Sequence, residues 1–292
     1  MFFMSSDNLL IKVKQLREIT GVGFKDCKNA IDETKGNIEE AVELLRKKGI
    51  AKATKRMGRI ASEGLICIYE ENNKFSMIEI NSETDFVAKN NEFIKFAQEV
   101  SKLALIKLGK LEDILVSNMN NKKSVKDNLV ALISKIGEKI TLRRSIFFDK
   151  EKSINFSYAH SELKKNVGKL GVLLSIETNK KKEDILDLGK QLAMQIAASS
   201  PLSIDKEGLD QSILKKEKEI ITEELKNSGK DSKIIDKIAI GKINKFIAEN
   251  TLLNQEWIME PKKKVKDVIK EVAGKDIIKV KKFMRFKVGE GL

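Results

Sequence analysis

Residues 80–93 read INSETDFVAKNNEF, and three kinds of local structure meet in them. On the amino side, Phe75, Met77 or Ile78, and Ile80 give residues 74–82 the apolar face of a strand. A first strand, 63–70, precedes it across a Glu71-Asn72-Asn73 turn. On the carboxyl side, Phe93, Phe96, Ala97, Val100 and Leu103/Ala104 recur at helical spacing and predict a helix over 91–108. Between them TDFVAKN, residues 84–90, sets an acid and a large aromatic side by side, Asp85 and Phe86. Two strands leading into an apolar-faced helix make an α+β region.

The same order returns further along. KFSMIEINSETD (74–85), followed by a helix, resembles KLGVLLSIETNK (169–180), followed by a predicted helix over 183–199. A Lys/Asn-rich surface stretch at 117–128 leads to a helix carrying Leu129, Leu132, Ile133 and Ile136, and strands follow at 139–148, 153–160 and 170–178. The reading is a weak internal duplication: two small antiparallel sheets, each backed by helices.

Towards the amino end, residues 7–49 predict three short helices. Leu9, Val13, Leu16 and Ile19 face one way in the first, with Ser6 or Asp7 as N-cap; Cys27, Ala30 and Ile31 do so in the second. The third ends at Gly49. Cys27 lies on the apolar stripe and reads as a core residue rather than a reactive thiol. Towards the carboxyl end, charged near-heptad segments around an Asn227-Ser228-Gly229 turn predict a projecting antiparallel helical hairpin, a coiled coil in type. After Trp257, Met259 and Pro261, a helix over 264–273 and an alternating strand over 277–288 close the chain. The expected domains are therefore a three-helix module (1–50), a basic linker (51–60), the first half of the core (61–148), the first part of its second half (149–204), the hairpin (205–250), and a segment (251–292) returning to the second half.

Composition excludes more than it selects. The 292 residues hold 56 Lys+Arg against 43 Asp+Glu, a formal charge of +13, but only seven of the basic residues are Arg. Bidentate base reading leans on Arg, so the charge reads first as a solvated Lys surface. With 41% apolar and 34% charged residues the chain can bury cores and stay soluble, and two Pro favour long uninterrupted elements. One His, His160, and two Cys, Cys27 and Cys67, forty positions apart, supply neither a zinc cluster nor a nucleophile with its base. No phosphate-binding or dinucleotide glycine motif occurs, so no metal and no cofactor is expected. No apolar run reaches eighteen residues and MFFMSSDN lacks a basic signal-peptide start, so no membrane partner and a cytoplasmic location are expected. Met4, followed by small polar residues and a helix start, competes with Met1 as initiator.

From these residues the chain resembles the bacterial elongation factor Ts family. LREITGVGFKDCKNAI (16–31) resembles the family's N-terminal helical module, which is UBA-like, and INSETDFVAKNNEF (80–93) its core signature. SKIGEKITLRR (134–144) is similar to the next core element, YAH (158–160) and GKLGVLL (168–174) to the second half-core, and MEP (259–261) and RFKVGEG (285–291) to the closing segment. The resemblance covers nearly the whole chain in the family's order.

That resemblance implies a non-enzymatic guanine nucleotide exchange factor of translation elongation. Its partner would be elongation factor Tu, bound with GDP and nucleotide-free, with no direct nucleic-acid contact, in a complex whose expected forms include a homodimer and a 2:2 assembly. It implies a contact surface at Thr84, Asp85, Phe86 and Val87, with Phe86 as a wedge beside the partner's magnesium and phosphate site. Ile136 and Gly137 would dock the first half-core, His160 would touch from the second, and Arg17, Phe24, Lys25 and Lys28 would form the contact face of the N-terminal module.

Taken without the resemblance, Phe86 reads as a core residue folded onto its own sheet, Asp85 as a turn residue, and His160 as a structural histidine. The runner-up reading of the whole chain is an RNA- or ribosome-binding protein using its basic surface. The chain stops at Gly289-Glu290-Gly291-Leu292, where many members continue into a further helical module, so that contact is expected to be missing. SELKKNV, between His160 and Gly168, is longer than in some members.

Overall fold

In the computed structural model, which describes residues 6–150, 152–226 and 232–292, the chain opens on three helices, α1 (Ser6–Thr20), α2 (Phe24–Glu33) and α3 (Ile38–Arg56). Strands β1 (Glu63–Glu71) and β2 (Lys74–Ser82) come next, then helices α4 (Asp85–Ala88), α5 (Asn91–Ile106), α6 (Leu111–Val116) and α7 (Val125–Ile136), then β3 (Ile140–Phe148). The described chain divides into two compact units. The first holds residues up to Tyr69, Ser76–Phe147 and Lys287–Leu292; the second holds Glu70–Phe75 and Phe148–Phe286.

In the first unit, Val13, Leu16, Cys27, Ala30, Ile31, Ala41 and Leu45 pack together between α1, α2 and α3. Asn37 caps α3 by accepting the Glu40 N–H at 3.2 Å. The third helix does not stop at Gly49: it runs on to Arg56, through most of the stretch read as a linker. Gly49 is a packing residue here, since a Cβ would come 3.2 Å from Ser134 Oγ of α7. Helix α3 is tied along α7 by Arg46, 3.0 Å from Asp127, and by Arg56, which donates to the Ile133 carbonyl at 3.1 Å. Tertiary contact overrides the weak helix propensity of one glycine.

Strands β3, β2 and β1 lie side by side in that order. Asn72 and Asn73 turn the β1–β2 hairpin with positive φ of 50° and 61°, a conformation that Asn tolerates. Helix α5 packs on the pair through Ser101, whose carbonyl accepts from Ser76 Oγ at 2.6 Å and whose hydroxyl receives Cys67 Sγ at 3.4 Å. Helix α6 was not expected; it buries Ile114. Nor is 117–128 wholly a solvated run, because Met119 and Val125 are buried and Ser124 caps α7.

Glu79 of β2 is fully buried. Its carboxylate accepts from Arg143 (3.1 Å) and Arg144 of β3, from the Asn81 amide (3.0 Å) and from the Gly289 N–H (2.9 Å). The two guanidiniums also donate to the carbonyls of Glu290 (2.7 Å) and Lys287 (3.1 Å), which fastens residues 287–292 to this unit.

The second unit contains β4 (Ile154–His160), β5 (Val167–Gly168), β6 (Leu170–Thr178), α8 (Leu186–Ser199), α9 (Gln211–Lys226), α10 (Ser232–Asn250), β7 (Glu256–Trp257), β8 (Glu260–Lys264), α11 (Val265–Ala273) and β9 (Ile278–Lys287). Its sheet runs β4-β6-β9, with β4 and β6 antiparallel from Ile154 opposite Ile176 to His160 opposite Leu170. Strand β6 is buried on both faces through Ile176, and α8 covers it closely. A Cβ on Gly189 of α8 would fall 2.5 Å from the Phe156 ring. A 3-10 turn, Glu183–Ile185, opens the helix expected from 183.

Helices α9 and α10 pack on one another around Leu209, Leu214 and Ile247, and Lys242 pairs with Glu224 at 2.6 Å. The expected turn at Asn227-Ser228-Gly229 lies outside the described residues. The short β7–β8 pair, with Pro261 in β8, was not expected. The fold is mixed α+β with antiparallel sheets.

Candidate functional site

Helix α4 is one turn long, and this brevity decides how its side chains fall. Phe86 stands out to solvent, 79% exposed, while Val87 and Ala88 are buried. Val87, expected on the contact surface, is buried here: the turn has one inner side, and Val87 and Ala88 fill it. Asp85, half-buried, accepts from Lys89 Nζ at 2.7 Å, a pairing across one helical turn.

Two carboxylates fix this turn against the end of α7. Glu138 accepts the Thr84 N–H at 3.0 Å and the Thr84 hydroxyl at 2.7 Å. In return Glu83 accepts the Lys139 N–H at 2.6 Å, and its other oxygen pairs with Arg59 at 3.2 Å. Lys139 Nζ donates to the Arg59 carbonyl at 2.8 Å, and Ser82 Oγ to the Thr84 carbonyl at 2.9 Å. The Lys139 N–H, reinforced by Arg59, holds the Glu83 carboxyl below its ordinary range against a smaller opposing cost of burial.

Ile136 and Gly137, both half-buried, precede Glu138 and so join the 84–87 turn in one place. Gly137 ends α7 with φ of 92°, where a side chain would be strained, and donates its N–H to the Ile133 carbonyl at 2.9 Å. Glu83 and Glu138 lie inside the motifs INSETDFVAKNNEF and SKIGEKITLRR, but nothing in those strings marks them as bracing residues beyond an acid at corresponding places in SET and GEK, each beside a chain reversal.

Arg17, Phe24, Lys25 and Lys28 are all exposed on α1 and α2, Phe24 to 43%. His160 belongs to the second unit, exposed at the end of β4. Its Nδ1 lies 2.9 Å from Tyr158 Oη, and its carbonyl accepts the Lys169 N–H at 3.2 Å. Both cysteines are buried, and burial pushes the Cys67 thiol up to about 11. Among the described residues no group of three metal-ligating side chains occurs, and no helix is long and apolar enough to cross a membrane.

A family model described as Elongation factor TS matches residues 83–290, beginning at the Glu83 that clasps Lys139. The chain belongs to the elongation factor Ts family. It is 42% identical to the elongation factor Ts of Rickettsia felis, over 96% of this chain and 91% of that one. The elongation factor Ts of Methylorubrum extorquens strain PA1 is 41% identical over 96% and 92% of the two chains, and that of Rickettsia prowazekii 42% over 99% and 94%. These alignments take in the amino-terminal helices that the elongation factor Ts model leaves out. Membership places the chain among translation elongation factors.

Proposed function

We propose that this chain is a guanine nucleotide exchange factor: it binds elongation factor Tu carrying GDP and promotes release of the GDP, so that GTP can take its place. The observation that carries the reading is Phe86, an aromatic side chain 79% exposed on a one-turn helix whose other apolar residues are buried. An exposed ring on a braced turn suits insertion into a pocket of a partner, because its burial free energy is still available for association. Asp85 beside it brings a carboxylate to the same surface, suited to disturb a cation site in the partner. Ile136 and Gly137 extend that surface; Arg17, Phe24, Lys25 and Lys28, together with His160, are further contacts on this reading. Thr84 serves by bracing.

The reaction needs no covalent step from this chain. It is an exchange of binding partners at the GTPase, driven by differential affinity, and it accords with a cytoplasmic translation factor whose amino-terminal module is UBA-like and whose α9 and α10 form a coiled-coil hairpin. The test is stopped-flow release of fluorescent GDP from elongation factor Tu on mixing with the purified chain. Acceleration that saturates with chain concentration supports the proposal; GDP release at its spontaneous rate rejects it.

A further inference from the structure

Thr84 stands at the N-cap of α4, with φ of −126° and ψ of 158°, where a threonine hydroxyl ordinarily accepts an amide hydrogen from the first turn. It makes no such cap. The hydroxyl instead donates to Glu138, fifty-four residues away, beside the Thr84 N–H that the same carboxylate also receives. A local stabilisation has been given up for a distant one. The return bond, Lys139 N–H to Glu83, makes the arrangement reciprocal: each segment lends a carboxylate to a backbone amide of the other. Arg59 on Glu83, with its carbonyl held by Lys139 Nζ, adds a third segment.

We infer that Glu138, with Thr84 as its partner, is a positioning residue for the Phe86 wedge, setting the ring at a fixed place relative to Ile136 and Gly137. This rests on the exchange reading above. A four-residue helix has too few internal hydrogen bonds to hold its own orientation. Val87 and Ala88 anchor its underside, but rotation of the turn about that anchor is opposed by the clasp at Thr84, two residues from the ring. Ligand binding to a wedge that is already placed avoids the ordering cost at the moment of docking. Glu138 touches neither nucleotide nor partner on this account; it acts through Phe86.

The test is a double-mutant cycle with Glu138→Ala and Phe86→Ala, read by the maximal rate of GDP release from elongation factor Tu and by affinity for its nucleotide-free and GDP-bound forms. Glu138→Ala is expected to slow exchange by about tenfold, and to weaken binding of the nucleotide-free form more than of the GDP-bound form. In the Phe86→Ala background the same substitution should cost less than about twofold, since no ring remains to be placed. Glu138→Gln should restore exchange to within about twofold of the parent, its amide oxygen accepting the Thr84 N–H and its amide hydrogens meeting the hydroxyl oxygen. Thr84→Val, which keeps the shape and loses the hydroxyl, gives the answer if Glu138→Ala folds poorly. Equal losses from Glu138→Ala with and without Phe86, or a parental rate in well-folded Glu138→Ala and Thr84→Val, would overturn the inference while leaving the exchange reading in place. A parental rate in Phe86→Ala would remove the wedge and this inference together, and no acceleration by the parent would remove the exchange reading itself.

Discussion

Phe86 keeps in water a ring whose burial in a core would contribute about 1.5–3 kcal/mol to folding. Because that contribution is absent from the folded state, Phe86→Ala should leave the melting temperature and circular dichroism near the parent's while slowing GDP release strongly, with Asp85→Ala slowing it less. Val87→Ala should do the reverse, costing about 1 kcal/mol of stability or more through the cavity it leaves. Stopped-flow exchange beside thermal melts separates the two, and unchanged exchange in folded Phe86→Ala sinks the wedge. The pair shows how far residues could be read ahead: two adjacent apolar side chains, one outside and one inside, are indistinguishable until the helix is known to be a single turn. Glu83 and Glu138 were hidden for another reason, since side-chain-to-backbone pairing across 56 and 54 residues leaves no periodicity. Glu79 was equally hidden, a buried acid in a strand whose partners come from β3 and from residue 289. Burial opposes its ionisation, but the Gly289 N–H, the Asn81 amide and Arg144 outweigh that and hold its carboxyl below the ordinary 4.5. A depressed folded value stabilises the fold above pH 4.5, and the stabilisation is lost as pH falls through the folded value. Glu79→Gln should therefore melt well below the parent at pH 7, and the gap should narrow as melts are taken from pH 5 towards pH 3; a gap that ignores pH would contradict this assignment.

At the scale of elements, the strands and most helices were legible because apolar residues gather densely in each, from Phe75, Met77, Ile78 and Ile80 in β2 to Leu170, Val172, Leu173, Leu174 and Ile176 in β6. Where punctuation residues serve packing, the reading failed: Gly49 stops nothing, because α7 lies against it. The short α6 and the β7–β8 pair carry too few residues for any period to declare itself. Helices α9 and α10 have a distinct mechanical property. The chain on either side of them is already joined, Leu202 N–H to the Asn250 carbonyl, Leu252 N–H to that of Ser203 and Leu253 N–H to that of Ile204, each at 2.9 Å. Among the described residues their mutual cluster is Leu209, Leu214 and Ile247, with Ile243 and Phe246 partly buried against it. Replacing residues 206–249 with a short Gly/Ser linker should thus lower helical ellipticity while β4, β6, β9 and α8 keep their cooperative melt. Loss of the melt would show that the pair is integral to the second unit.

For the whole molecule, the proposed exchange is a statement about linkage. A factor that weakens GDP binding to its partner by a given ratio must have its own affinity weakened by GDP in the same ratio. A thousandfold effect requires about 4 kcal/mol of coupling, more than one aromatic anchor of about 2 kcal/mol supplies, so contacts beyond Phe86 must share it. Titration calorimetry of the chain with nucleotide-free and GDP-bound elongation factor Tu should return the ratio found for GDP with and without the chain. Unequal ratios would mean that a third state has been overlooked. The +13 charge gave no guide at this scale, because dispersed Lys says little about where a partner sits. The fastening of residues 287–292 to β2 and β3 bears on something else, the timetable of biosynthesis. Gly289 leaves the translation machinery 210 residues after the carboxylate it serves. At about 5–20 residues per second, a nascent first unit waits roughly 10–40 s with Glu79 short of one donor and with Arg143 and Arg144 lacking their carbonyl acceptors. Vectorial folding can start at the amino terminus of this chain, but the unit that begins it is sealed last.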